Sequence, residues 1–273
     1  MRREFMTGAA LVAAALFAMT TPAMSAGQIR IAGDPCTIPL AKKIGEAFTK
    51  KAGVEVVTVV GKCRTGVSEV LGGKVDIGVS TFNFGDDQLD KSLTDTVIGK
   101  APIILIVNKN NPVNNIANDQ LKGVLAGTIR NWKELGGKDM EIKNVLLQPC
   151  VTETMSHQAE HFGHDINKLT PAKPANPVAQ TNELIEQDEA AVGPQLFGYE
   201  TPGVKVLTID GVLPDEKTLG TKYTYFENYN MITKGAPTGA VKEYIEFAQS
   251  PEGQRIQASM KHVPLQHSHA SAH

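Results

Sequence analysis

The sequence predicts an α/β fold built on an open sheet whose strands are joined by helices. Apolar runs of roughly four to eight residues alternate with stretches of helical spacing along most of the chain. Hydrophobic residues make up 41% and charged residues 21%, enough to bury a full core around such a sheet. The third observation is the placement of Cys36, Cys63 and Cys150. They stand in IRIAGDPCT, VEVVTVVGKCRTG and EIKNVLLQPCVT, each in a short loop after a strand-like run and before a possible helix start. Loops at the carboxyl ends of parallel strands are where open α/β sheets collect ligand-binding groups.

The elements follow in order. Arg2 and Arg3, an apolar stretch from Met6 to Met19, and TPAMSA form the pattern of a secretory signal peptide, residues 1–26, cleaved after Ser25 or Ala26. That leaves about 247 residues, one large domain or two ordinary lobes. Gln28–Ala32 reads as a strand and Thr37–Lys51 as a helix, with Leu40, Ile44, Ala47 and Phe48 at helical spacing. Val54–Val60 is a β-branched strand, Thr65–Leu71 a helix ended by Gly72–Gly73, and Val75–Val79 a third strand. Ala101–Asn108 is the most apolar segment beyond the signal peptide, and Asn110–Pro112 breaks it. Asn118–Leu125 and the stretch around Trp132 are short helices. Asn144–Leu147 is a strand, Thr152–Phe162 a helix, and Thr170–Pro177 a Pro-rich connector. Thr181–Asp188 is a helix, Ala190–Gly193 and Val204–Ile209 are strands, and Thr221–Thr233 is aromatic and extended. Thr238–Ala248 is a helix, and SPEGQRI restarts one.

The net charge of −2 argues against nucleic acid or an anionic membrane as partner. Export makes three cysteines notable, because an oxidising compartment favours pairs and an odd count leaves one thiol over. One structural disulfide plus a spare thiol is the plain alternative to a shared site. No CxxC is present, which speaks against a thiol oxidoreductase, and no enzyme activity is expected.

Several literal stretches carry a further signal: GGKVDIGVST (72–81), VNKNNPVNNIANDQLKGVLAGTIRNWKELGG (107–137), VLTIDGVLP (206–214) and KEYIEFAQSPEGQ (242–254). In this order they resemble the phosphate-binding protein of bacterial phosphate ABC transporters. The resemblance implies a two-lobed type II periplasmic-binding-protein fold with a ligand cleft between the lobes. Lobe 1 would comprise 27–107 and 220–266, lobe 2 would comprise 108–219, and the polar tail 267–273 would be disordered. It further implies a periplasmic monomer that hands a small inorganic ligand to a membrane ABC permease or a sensor kinase. In the family the first, second and third loops resemble GSTTV, GGGSG and an Arg ahead of GSGT, and they hold phosphate. Here they read Gly33-Asp34-Pro35-Cys36-Thr37, Gly61-Lys62-Cys63-Arg64-Thr65-Gly66 and Leu146-Leu147-Gln148-Pro149-Cys150-Val151-Thr152. The Arg that often follows the VDIG strand is replaced by STFNF (80–84).

A cysteine therefore stands in each loop that would cradle an anion, and two expected cations are gone. The expected ligand set is Cys36, Cys63 and Cys150, with Thr37, Lys62, Arg64, Thr65 and Thr152 around them. No cofactor is expected beyond a bound As(III) or soft metal ion. Arsenite fits best, being neutral near pH 7 and close in size to the family's ligand. Cu(I), Zn(II) or Hg(II) are the other soft candidates, for which His157, on one helical face with His161 and His164, is a possible auxiliary ligand. The competing expectation is a phosphate or other oxyanion receptor with a structural disulfide, in which Lys62 and Arg64 supply the charge.

Overall fold

The computed structural model describes residues 27–62, 64–81, 89–147, 173–175 and 178–265. The signal-peptide segment, Cys63, Cys150, the helix expected at Thr152–Phe162 and the His-containing tail lie outside the described residues. In chain order the elements are β1 (Ile29–Gly33), α1 (Ile38–Ala52), β2 (Val56–Val60), α2 (Thr65–Leu71), β3 (Ile77–Ser80), β4 (Leu93–Asn108), β5 (Asn115–Ile116) and α3 (Asn118–Ala126). A 3-10 turn (Trp132–Leu135) leads to β6 (Lys143–Leu147), β7 (Lys173–Ala175) and α4 (Val178–Glu186). Then come β8 (Ala191–Leu196), β9 (Val204–Ile209), β10 (Phe226–Lys234), α5 (Gly239–Gln249), α6 (Pro251–Ser259) and β11 (Val263–Pro264).

These strands form a mixed sheet in the order β2-β1-β3-β10-β4-β8-β6-β7. β1 pairs in parallel with both β2 and β3, as short strands joined by helices must. β4 holds the molecule together. Its first part, Leu93–Pro102, pairs antiparallel with β10, and from Ile103 onward it pairs with β8 and β9. The change of partner falls inside the strand, ahead of the Asn110–Pro112 break. β4 also starts earlier than the apolar run suggested. Leu93–Lys100 (LTDTVIGK) lacks a continuous apolar run, and its pairing with β10 supplies what local pattern does not. The Pro-rich connector likewise contains a strand, β7, which pairs in parallel with β6.

Among the described residues the two largest apolar clusters lie along this shared strand, one toward each of its ends. The first gathers Ile29, Ile31, Leu40, Ile44, Phe48, Ile77, Met231 and Tyr244 between β1, β3, β10, α1 and α5. The second gathers Leu105, Val107, Leu121, Val124, Trp132, Val192 and Leu207. α1 shows why such elements form. Leu40, Ile44 and Phe48 recur every four residues on its buried face, and it stops at Gly53, whose φ of 70° suits glycine. α2 lies unusually close to the sheet. A Cβ on Gly78 would stand 2.5 Å from the Gly66 carbonyl oxygen, so both glycines are set by close backbone approach. Among the described residues no helix is long and apolar enough to cross a membrane.

Candidate functional site

The loop after β1 and the loop after β2 leave the sheet side by side, since the Gly61 N–H donates to the Gly33 carbonyl at 2.7 Å. In the first loop Asp34 organises everything. Its Oδ1 accepts from the N–H groups of Cys36 (2.8 Å) and Thr37 (3.0 Å), and its carbonyl accepts from Thr37 and Ile38 (both 3.1 Å). The Asp34 N–H in turn donates to Thr37 Oγ1 at 3.1 Å. Thr37 sits at the N-cap of α1, yet its side chain makes no cap bond to the helix. The carboxylate three residues earlier instead closes the turn ahead of the helix, and the Asp34 carbonyl takes the Ile38 N–H.

Cys36 is 5% exposed, a free thiol, and it packs against the second core rather than the first. Its carbonyl accepts from the Tyr199 hydroxyl at 2.9 Å, and Tyr199 lies in the turn after β8. The loop therefore touches both halves of the molecule. Thr37 is fully buried, and its carbonyl accepts from Tyr229 Oη at 2.6 Å. From β10, Glu227 shares the face of Tyr229 and turns toward this loop, with the Thr81 hydroxyl bonded to its carboxyl.

The electrostatics follow from burial. Loss of water raises the Cys36 thiol well above its usual value, and the charges of Asp34 and Glu227 and a hydrogen bond to Asp34 push the same way. Burial likewise raises Glu227 to about 8, with Asp34 adding to the effect and Thr81 opposing it. Asp34 is raised by burial and held back by its hydrogen bonds to Cys36 and Thr37. Cys36 is thus a protonated thiol among carboxyl groups. Lys62 and Arg64 of the second loop are exposed. Arg64 holds a left-handed φ of 58° at the N-cap of α2, and Thr65 opens that helix with its N–H on the Lys62 carbonyl at 3.0 Å.

The structure thus sets the loop of Cys36 and Thr37 beside the loop of Lys62, Arg64 and Thr65 at the Gly33–Gly61 bond, with Cys36 and Thr37 buried and Lys62 and Arg64 exposed. Cys63, Cys150, Thr152 and His157 lie outside the described residues, and among the described ones no group of three His, Cys, Asp or Glu could hold a metal ion. Sequence reasoning missed Asp34, Glu227 and Tyr199. Asp34 had a signal, an Asp three residues ahead of Thr37 at a helix start. Glu227 stands as a lone carboxylate in the aromatic run TYFENY, and Tyr199 had none. Asp76, ahead of β3, accepts the Arg30 N–H at 2.7 Å.

The half-buried Glu227 predicts a pH dependence. Folded Glu227 keeps its proton up to about 8 against an ordinary 4.5, so stability falls as pH rises between those values. His262, which burial lowers to about 4 from 6.5, acts oppositely, and its contribution is lost as pH falls through that window. The two offset each other below about pH 6.5, leaving a net decline from about 6.5 to 8. Thermal midpoints measured across that range should fall, and Glu227→Gln should flatten the slope. An unchanged slope in the variant would contradict the assignment.

Comparison with known proteins agrees with the architecture. The family model described as a PBP superfamily domain matches residues 18–252. The phosphate-binding protein PstS of Bacillus subtilis is 29% identical over 252 residues, covering 88% of this chain and 82% of that protein. A structure from Clostridium perfringens, described as a phosphate ABC transporter substrate-binding protein with bound phosphate, superposes with a TM-score of 0.79 at 26% identity. It covers 87% of this chain and 99% of its own. An ABC-type phosphate transport receptor from Vibrio cholerae gives 0.69 at 21% identity, over 87% and 100% of the two chains, and shares the fold.

Proposed function

The chain belongs to the PBP superfamily, and from that membership we propose that it is an exported, two-lobed solute receptor serving a membrane ABC permease or a sensor kinase. It works without turnover: closure of lobe 2 (108–219) on lobe 1 (27–107 and 220–266) converts ligand capture into a shape the membrane partner reads. We assign it a periplasmic location after removal of residues 1–26, and a monomeric state.

Its proposed ligand is thiophilic, with arsenite the best fit, held by Cys36, Cys63 and Cys150. The observation that supports this is the chemistry at the start of α1. A buried protonated thiol stands there between two carboxyl groups, with the loop's N–H donors already taken. That environment disfavours a dianion and suits a neutral hydroxide. Arsenous acid exchanges its three hydroxyl groups for three sulfurs. Each thiol proton leaves with a hydroxyl group as water, so no charge enters the site and no oxidant is needed. Zinc or copper would require thiolates, which burial beside carboxylates opposes.

A second reading, a phosphate receptor, is favoured by the phosphate-binding names of the similar proteins. Equilibrium dialysis of the reduced protein against arsenite and against phosphate separates the two. Arsenite retention that disappears after oxidation of the thiols, with little phosphate retained, is the expected result. Tight phosphate binding indifferent to reduction would replace the thiol reading with the second one.

A further inference from the structure

We infer that Tyr199 is the positioning residue that couples the two halves of this receptor, its hydroxyl bond to the Cys36 carbonyl holding the loop ahead of α1 in register with lobe 2. The inference rests on the receptor reading above but not on the choice of a thiol ligand. Cys36 stands just outside the helix. The Ala41 N–H closes on the Thr37 carbonyl, while the Cys36 carbonyl takes the Tyr199 hydroxyl at 2.9 Å from 163 residues away. Cys36 is only 5% exposed, so this bond satisfies an acceptor on a buried residue. Burial raises the Tyr199 hydroxyl above its ordinary value, with Cys36 and Asp34 adding to the effect, so it keeps the proton it donates.

Tyr199 is fixed on its own side before it reaches across. Its carbonyl accepts from Asn182 Nδ2 of α4 at 2.7 Å, its N–H closes a turn on the Leu196 carbonyl at 3.2 Å, and its ring packs against the second core. The same turn lies directly on the other half. Gly198 holds a φ of 94°, and a Cβ there would stand 2.5 Å from the carbonyl oxygen of Met260, a residue packed on the first core. Beside it the Phe197 N–H donates to the Pro102 carbonyl at 3.0 Å, where β4 changes partner. Lys261 Nζ lies 5.6 Å from the centre of the Phe197 ring. Residues 197–199 thus sit on the strand shared by both halves and end on the loop ahead of α1. A shift of that loop must move the turn or break the bond.

Hydrogen exchange of the reduced, full-length protein, read by mass spectrometry, tests the coupling. Tyr199→Phe keeps the ring and loses the hydroxyl. Without any probe it should raise exchange over residues 34–40 by roughly three- to tenfold, the scale of one hydrogen bond. In the wild type, saturating arsenite or, in a parallel sample, inorganic phosphate should slow exchange both there and over residues 196–200. In Tyr199→Phe the bound probe should slow it at the first segment alone. A merely structural bond would leave the second protection in place. Unchanged exchange over 34–40 in the folded variant would overturn the proposal, as would protection of 196–200 that survives loss of the hydroxyl. If the Phe variant does not fold, Asn182→Ser, which loosens the turn from α4, is read in its place, with the same two expectations at smaller amplitude. A wild type whose exchange neither probe changes would sink the receptor reading for those ligands, and the probe-free comparison would still decide the role of the bond.

Discussion

Replacing Cys36 with serine should abolish tight arsenite binding while leaving the fold intact. Serine is nearly the shape of cysteine and can donate to Asp34 as the thiol does, so the packing of the loop against the second core survives. In the proposed site, however, the sulfur would supply one of three bonds to arsenic, and a hydroxyl would return only what water offers. Loss of one of the three sulfur bonds should therefore weaken arsenite by roughly tenfold or more, at least about 1.4 kcal/mol. Calorimetry on the reduced variant should show that loss, with a thermal midpoint close to the parent. Undiminished arsenite affinity would remove Cys36 from the site.

The largest effect on stability is expected from Trp132→Ala. Trp132 is completely buried in the second core, and its indole N–H donates to the Ala190 carbonyl at 2.9 Å. It is held on a 3-10 turn closed by a capping box at its N-terminal end: Asn131 Oδ1 accepts from Lys133 N–H and Glu134 Oε1 from Asn131 N–H. Truncation opens a large cavity and orphans a buried carbonyl, costing about 3–5 kcal/mol for the cavity alone. For a domain of this size that lowers the midpoint by roughly 10 °C. Trp132→Phe should lose much less. Because Trp132 is the single tryptophan of the chain, both variants lose that fluorescence, and calorimetry reads their midpoints. A shift of under about 3 °C for the alanine variant would contradict the burial argument.

Much of the fold was legible in the sequence because its strands and helices state their period locally. α2 matches its expected span, Thr65–Leu71, and β9 matches Val204–Ile209. The β-branched run of β2 and the 3.6-residue rhythm of α1 left little choice. The first half of β4 and the short β7 were not legible, since both exist by pairing with distant strands rather than by composition. For the site, the two loops that open α1 and α2 could be found from their glycines and cysteines. What they contain chemically could not. Glu227 lies almost two hundred residues from Asp34 in sequence, and only the antiparallel run of β10 brings it to the same edge. Tyr199 reaches Cys36 from the other half of the molecule, a contact no local pattern encodes.

The proposed arsenite site requires that sulfurs from Cys36, Cys63 and Cys150 act on one ligand. Intact-mass spectrometry of the reduced protein after exposure to arsenite tests this most directly. The predicted product is a single adduct heavier by one arsenic and lighter by three hydrogens. No adduct, or one that forms with loss of fewer hydrogens, would contradict it.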